Sequence, residues 1–138
     1  MPESNYILNP IGFIHSSLKN RTEAPSQGNE GAPEAWLEVN SAVAEGLDGI
    51  QVGNEIIVIT WFHQAQREVL KLHPRWDKNN PLTGVFATRS PDRPNPLGLH
   101  RVNVLEISQN RLRVSPIEAI EGTPVVDIKP VLPHSLDS

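Results

Sequence analysis

The sequence predicts a mainly β protein, a small barrel with one or two short helices. Proline and glycine together supply 22 of the 138 residues, more than the roughly 12% expected of an average chain, which favours many turns and short elements. The apolar runs are short, and they are rich in β-branched residues or alternate with polar ones, as half-buried strands do. At 15.3 kDa, residues 1–138 are expected to form a single domain.

Six segments have the pattern of strands: 6–15, 55–62, 83–88, 101–107, 111–114 and 124–128. Val102, Val104, Leu105 and Ile107 do not alternate perfectly, so we expect a bulge or burial on both faces there. Gln109-Asn110 is typical of a hairpin turn, in which Asn110 is expected to take a positive φ.

Helical signals are weaker than strand signals. The segment 41–47 is the clearest helix candidate, with Asn40 as its N-cap and Gly46 or Gly49 as its stop. The segment 64–72 is a second candidate. Residues 17–34 and 73–82 are polar and contain proline, so they are predicted to be long loops.

Several functional classes are excluded by composition and spacing. The chain has no cysteine, which removes disulfides, thiolate metal sites and thiol nucleophiles. The glycines at 46, 49 and 53 do not form a dinucleotide-binding fingerprint, and the five histidines show no metal-ligand spacing. No apolar run approaches the roughly 20 residues that span a bilayer, and no signal peptide is apparent. We therefore expect a cytoplasmic protein without a metal or a membrane partner.

Charge is distributed unevenly along the chain. The formal net charge is −4, yet residues 63–101 carry a net +4 and the remainder a net −8. Any polyanion would therefore be expected to bind the middle of the chain rather than the whole surface. The alternative is a solvated loop whose charges do not share one face.

The segment 87–98, ATRSPDRPNPLG, combines three prolines with two arginines, an asparagine and a glycine. Proline fixes its own φ and restricts the residue before it, so this loop should be stiff. A stiff loop loses little entropy on binding and is suited to presenting Arg89, Arg93 and Asn95 as fixed donors. The alternative is a rigid turn whose arginines bond backbone carbonyls.

Two long motifs, GVFATRSPDRPNPLGL at 84–99 and GTPVVDIKP at 122–130, together resemble the TsaA-like family, which includes the TrmO-type tRNA methyltransferases. The resemblance extends to 11–20, 25–27 and 62–64, and it covers most of residues 7–133. Many bacterial members also carry a C-terminal domain that helps to hold tRNA, so this chain is expected to be a short form.

The resemblance implies a TsaA-like β-barrel rather than a Rossmann fold. It further implies a homodimer that binds S-adenosylmethionine near the subunit interface. The expected reaction is methylation of the N6 nitrogen of threonylcarbamoyladenosine, beside the anticodon of tRNA.

The resemblance also carries over to individual positions. The expected cofactor contacts are Pro25, Ser26, Gln27, His63, Gln64, Arg89, Leu99, Glu118, Ala119, Ile120 and Glu121. Two departures stand out. The family usually has an arginine where this chain has Ser26, so this chain lacks one cation. The family usually has two aspartates where this chain has Glu118 and Glu121, so each carboxylate side chain is one methylene longer here. For the two glutamates, the alternative is an exposed acidic turn before Gly122.

A carbamoylated nitrogen is a poor nucleophile while it keeps its proton, so a general base, or a carboxylate of the substrate itself, is expected to accept that proton. His63 and Asp127 are the candidate catalytic residues; the alternative for Asp127 is an internal pair with Lys129 or with an arginine of the loop 89–93. Candidate contacts to RNA are Arg67, Lys71, Arg75, Lys78, Arg93 and Asn95. Two other functions stay open: a methyltransferase of the same fold acting on another RNA or a small molecule, and a non-catalytic module that binds S-adenosylmethionine.

Overall fold

A computed structural model of the chain describes residues 6–19, 33–74 and 77–133. The strands are β1 Gly12–His15, β2 Ala35–Val39, β3 Glu55–Trp61, β4 Lys71–Leu72, β5 Thr83–Gly84, β6 Leu97–Ser108, β7 Arg111–Ser115 and β8 Pro124–Pro130. Six of them form a closed antiparallel barrel in the order β1-β2-β7-β6-β3-β8, while β4 and β5 form a separate two-stranded sheet. The predicted mainly β barrel is confirmed. No helix within the described ranges is long and apolar enough to cross a membrane.

The barrel interior is filled by alternate strand residues, as the period of two requires. Ile14, Leu37, Val58, Val102 and Leu112 all point inward and are fully buried. They belong to one continuous cluster with valines of the same strands. This packed interior holds the strand ends in place and so positions the loops that connect them.

The long strand β6 pairs with β3 through its first half and with β7 through its second half. Its register with β7 shifts between Val104 and Glu106, which confirms the expected bulge. The hairpin turn at Gln109-Asn110 is also confirmed, but Gln109 rather than Asn110 has the positive φ, at 57°. The Asn110 side chain instead donates to the carbonyl of Val39 at 2.6 Å, so its amide fastens the turn to β2.

One helix prediction is confirmed and the other is wrong. Ser41–Leu47 is a helix with the predicted bounds, of the 3₁₀ type, but Asn40 makes no side-chain cap bond because its amide donates to the carbonyl of Pro10 at 3.2 Å. The segment 64–72 is not helical: it consists of turns and bends that end in β4. There the backbone N–H of Gln66 donates to the carboxylate of Asp92, instead of to the carbonyl of a preceding residue as in a helix.

Other strands also differ from the predicted boundaries. The predicted strand 83–88 is only Thr83–Gly84, followed by a 3₁₀ helix at Val85–Ala87. Strand β2 was not predicted, although Ala35–Val39 alternates between buried and half-buried residues. Strand β6 begins at Leu97, four residues earlier than predicted, because this segment pairs with the end of β3.

The two ends of the barrel differ in the number and length of the connections that they carry. The antiparallel registers place three connections at one end, namely 16–34, 62–96 and 116–123, and we call this the loop end. The opposite end carries the connection 40–54 and the tight turn 109–110. The loop end therefore has most of the irregular chain, where ligand-binding residues are most often found.

Candidate functional site

The expected cofactor contacts gather at the loop end. Those in the described ranges are His63, Gln64, Arg89, Leu99, Glu118, Ala119, Ile120 and Glu121, and all lie in the connections 62–96 and 116–123 or at the start of β6. Pro25, Ser26 and Gln27 lie outside the described residues. Topology thus brings together positions that are far apart in sequence.

In the connection 116–123, Ala119 and Ile120 are buried, and Glu118 and Glu121 are its two charged residues. Glu121 is held firmly: its Oε1 accepts the backbone N–H of Ser16 at 2.7 Å, and its Oε2 lies 3.4 Å from Nδ1 of His15. The N–H of Ser16 is the main cause that lowers the pKa of the Glu121 carboxyl, with further contributions from His15 and Lys19. Glu121 therefore fastens the end of β1 to this connection.

Glu118 has a different partner, the buried side chain of His100. Nδ1 of His100 lies 2.9 Å from Oε1 of Glu118, although off the direction required for a hydrogen bond. On the other side of the ring, Nε2 lies 2.7 Å from the hydroxyl oxygen of Thr60. His100 was not among the residues predicted from the sequence. It faces inward in β6 together with Gly98 and Val102, a register that the pairing of β6 with β3 reveals.

The ring of Phe62 covers this buried cluster. It meets His100 edge to face, with ring centroids 5.7 Å apart, and it lies directly over Gly98. A Cβ at position 98 would stand 2.4 Å from Cε2 of Phe62, so only glycine allows this approach. The backbone N–H of Phe62 also donates to the carbonyl of Pro96 at 2.8 Å. His63 and Gln64, both exposed, follow this fixed aromatic residue.

The proline-rich loop is braced from within by Arg93. Its guanidinium donates to three backbone carbonyls, those of Val85, Thr88 and Ser90. Arg93 thus has the internal role that the sequence left as an alternative. Arg89 is different: its side chain is exposed, and within the described ranges it has no hydrogen-bond or ion-pair partner.

Arg67 joins the two halves of the connection 62–96. Its guanidinium stacks over the ring of Trp61 at 5.0 Å, and it donates to the carbonyl of Pro94 at 2.7 Å and to Oδ1 of Asn95 at 3.2 Å. Lys71 and Lys78 are exposed on the same connection, and Arg75 lies outside the described residues.

Asp127 lies on β8, opposite Ile59 of β3. Its Oδ1 accepts the backbone N–H of Ile128 at 2.8 Å, and its Oδ2 lies 3.6 Å from Nζ of Lys129. Pairing with Lys129 was one of the two alternatives that the sequence left open. His63, the other candidate base, is at the loop end.

Two hollows open on the outer wall of the barrel. One of about 410 Å³ lies between the segment 6–10 and the side chains of Trp61, Arg67 and Asn95. The other, of about 280 Å³, is lined by Phe13, His15, Glu38, Asn40 and Gly122. Neither is lined by Arg89, Leu99 or Glu118. Within the described ranges, no group of three or more acidic or histidine side chains is arranged to hold a metal ion.

Comparison with known proteins identifies the family. The family model for the tRNA-methyltransferase O N-terminal domain, TrmO_N, matches residues 13–138. The chain belongs to the TrmO_N family. A probable S-adenosyl-L-methionine-binding protein of Methanocaldococcus jannaschii is 42% identical over 128 residues, which cover 90% of each chain. An S-adenosyl-L-methionine-binding protein of Archaeoglobus fulgidus is 40% identical, over 93% of this chain and 91% of the relative.

Solved structures of TrmO share the fold. TrmO from Pseudomonas aeruginosa superimposes with a TM-score of 0.73 at 29% identity, and another TrmO crystal structure with a TM-score of 0.76 at 31% identity. Each match covers 98% of this chain, which spans about 60% of the length of those TrmO chains. This chain and the two TrmO structures therefore share the barrel fold.

Proposed function

We propose that this TrmO_N protein is an S-adenosylmethionine-dependent methyltransferase that acts on the N6 nitrogen of threonylcarbamoyladenosine in tRNA. The observation that carries the proposal is the grouping, at one end of a TrmO_N barrel, of a cation, a carboxylate and exposed apolar side chains. The names of the relatives, S-adenosyl-L-methionine-binding proteins and TrmO, support the same cofactor and reaction class.

The residues at the loop end fit this cofactor chemically. S-adenosylmethionine presents a carboxylate, an ammonium, ribose hydroxyls and an adenine. Arg89, exposed and without a partner in the described ranges, supplies a guanidinium for the carboxylate. Glu118 supplies an acceptor for the ammonium or the hydroxyls, and the exposed side chains of Leu97 and Leu99 supply apolar cover for the base.

When bound, S-adenosylmethionine supplies an activated methyl group on its sulfonium. The protein's own residues orient the reactants and exclude water around them. We assign acceptance of the N6 proton to His63, because it lies at the loop end beside Phe62, whereas the carboxylate of Asp127 is already engaged by Lys129 on β8. Asp127→Asn is then expected to keep turnover, and His63→Gln to lose it.

The connection 62–96 is the part of the surface that we assign to tRNA. It carries the exposed cations Arg67, Lys71 and Lys78, whereas the chain outside residues 63–101 has a net charge of −8. Trp61 under Arg67 adds an aromatic and cationic surface of the kind that stacks with unpaired bases. RNA binding at this connection would weaken steeply with salt.

A second copy of the chain is the other partner that we propose. Leu70, Leu82 and Phe86 are large apolar side chains exposed on the same connection, and Phe86 is 81% exposed. Exposed apolar groups clustered in one connection are typical of an interaction site. A homodimer that buries them would also cover the open loop end.

Isothermal titration calorimetry with S-adenosylmethionine tests the cofactor site. The wild-type chain is expected to bind the cofactor, and Arg89→Ala to bind it at least about tenfold more weakly, because a charged hydrogen-bonded pair is lost. Arg111→Ala is the matched control, since Arg111 is an exposed arginine on β7 that pairs with Glu38. Failure of the wild-type chain to bind, or an equal loss in both variants, would contradict the assignment.

A further inference from the structure

The buried imidazole of His100 links three parts of the loop end. It is 0% exposed and contacts Thr60 of β3, Phe62 at the start of the connection 62–96, and Glu118 in the connection 116–123. Burying a polar ring costs free energy unless its nitrogens find partners. A barrel of this size would otherwise be expected to hold an aliphatic residue at this inward position of β6, so His100 needs an explanation beyond packing.

The neighbours of His100 determine where its ring proton lies. An ionised carboxylate only accepts hydrogen bonds, so a proton on Nδ1 faces Oε1 of Glu118 favourably at 2.9 Å, whereas a lone pair there would be repelled. Nε2 then accepts from the hydroxyl of Thr60 at 2.7 Å. This arrangement gives the ring one acidic neighbour and one hydroxyl donor.

Glu118 is well placed to transmit this contact to a ligand. Its side chain is 16% exposed, so part of it reaches solvent while Oε1 faces His100. The residues on either side, Ile117 and Ala119, are fully buried, which limits movement of the backbone. Oε1 lies 2.9 Å from Nδ1 but off the Nδ1–H direction, so a rotation of the Glu118 side chain is needed to complete the hydrogen bond.

We propose that His100 is a positioning residue that holds the Glu118 carboxylate in the orientation required to bind S-adenosylmethionine; this rests on the proposed function. His100 does not contact the cofactor itself. It acts through Glu118 and is in turn held by Thr60 and by the edge of Phe62.

Two substitutions of His100 separate positioning from packing. His100→Asn places an amide near the position of Nδ1 and keeps a donor for Glu118. His100→Gln places its amide near the position of Nε2, which keeps a partner for Thr60 and loses the donor for Glu118. Both variants lose the ring, so their thermal stabilities should fall by similar amounts. Thr60→Val is a third variant, which removes only the hydroxyl on the far side of the ring.

Calorimetric affinity for S-adenosylmethionine is the readout. We expect His100→Gln to bind about tenfold more weakly than the wild-type chain, and His100→Asn to stay within about threefold of it. His100→Gln combined with Glu118→Gln should bind no more weakly than Glu118→Gln alone, because both act through the same carboxylate. Equal losses in His100→Asn and His100→Gln, or additive losses in the double variant, would show that His100 is only structural.

Histidine ¹⁵N NMR of the protein without cofactor gives an answer even where a His100 variant does not fold. The wild-type chain should show His100 protonated at Nδ1, and Glu118→Gln should shift that resonance. An Nδ1 without a proton, or a resonance unchanged in Glu118→Gln, overturns the inference. If the wild-type chain fails to bind S-adenosylmethionine, the proposed function fails instead, and the two failures are distinguished because the NMR measurement needs no cofactor.

Discussion

The two glutamates of the connection 116–123 show how neighbouring residues of one type acquire different roles. Glu121 accepts a backbone N–H from Ser16 and lies near His15, so its carboxylate is used to hold β1 in place. Glu118 faces a buried histidine and has no backbone donor of that kind within the described ranges. The structure therefore favours Glu118 over Glu121 as the ligand-binding carboxylate.

Stability is expected to depend on pH through Glu121. Its pKa in the folded protein is lowered, chiefly by the N–H of Ser16, so the ionised form stabilises the fold. That contribution is present above the unfolded-state pKa of about 4.5 and is lost as the pH falls through the folded pKa. Glu121→Gln should lower the free energy of unfolding at pH 7 by about 1 kcal/mol. In urea titrations the difference from the wild-type chain should shrink below pH 4.5; a difference that does not change with pH would contradict this role.

Gly98 should not tolerate a side chain. A Cβ there would lie 2.4 Å from the ring of Phe62 and 2.8 Å from the hydroxyl oxygen of Thr60, so Gly98→Ala must displace one of them. We expect a loss of about 2 kcal/mol in the free energy of unfolding, typical of overpacking. Gly46→Ala is the control, since nothing lies within 4 Å of a Cβ there, and it should change stability by less than about 0.5 kcal/mol. Equal effects of the two substitutions would refute the steric account.

At the scale of elements, the proline-rich loop is a unit braced by two buried or half-buried charged residues. Arg93 binds three carbonyls of residues 85–90, and Asp92, which is buried, accepts the backbone N–H of Gln66. The first contact closes the loop on itself, and the second fastens it to the start of the connection 62–96. Arg89 is thereby presented from a rigid support.

Removing the Arg93 brace should loosen this loop without unfolding the barrel. Arg93→Lys keeps the charge but cannot reach three carbonyls at once. Hydrogen exchange at the amides of Thr88 and Ser90 should then speed up by about tenfold or more, while the amides of β3 and β6 stay protected. Protection lost equally in the barrel strands would mean that the loop and the barrel unfold together.

The sequence predicted strands well where apolar and polar residues alternate. Val102 and Val104 alternate within β6, and both the strand and its bulge were found. The helix predicted at 64–72 was wrong, because this segment is held by long-range hydrogen bonds. The backbone N–H of Gln66 donates to Asp92 and the side chain of Arg67 donates to the carbonyl of Pro94, both more than twenty residues away. The positive φ at Gln109 was also missed, since the Asn110 side chain is occupied by the carbonyl of Val39 in β2. Neither set of contacts can be inferred from the intrinsic conformational preferences of the residues involved.

The site was predictable only in part, for the same reason. Arg89 and Glu118 were named from the family resemblance, and the internal use of Arg93 was one of two alternatives that the sequence left open. The buried contact of His100, in contrast, depends on how the strands close into a barrel. A lone histidine in an apolar strand carries no spacing signal of its own. Its inward register becomes apparent only once β6 pairs with β3.

At the scale of the whole molecule, the exposed apolar side chains of the connection 62–96 predict self-association. Phe86→Asp should convert a dimer into a monomer in light scattering, because it places a charge in the proposed interface. Val52→Asp is the matched control, since Val52 is also exposed, at 61%, but lies at the opposite end of the barrel. A monomeric wild-type chain, or dissociation by both substitutions, would contradict the proposed interface.

The most direct test of the proposed activity is nucleoside mass spectrometry of tRNA that contains threonylcarbamoyladenosine, after incubation with the protein and S-adenosylmethionine. We expect a gain of one methyl group on that nucleoside, strongly reduced in Arg89→Ala. A threonylcarbamoyladenosine peak that stays unmodified, under conditions in which calorimetry shows the wild-type protein saturated with cofactor, would contradict the proposed activity. It would favour a methyltransferase with another acceptor or a module that only binds the cofactor.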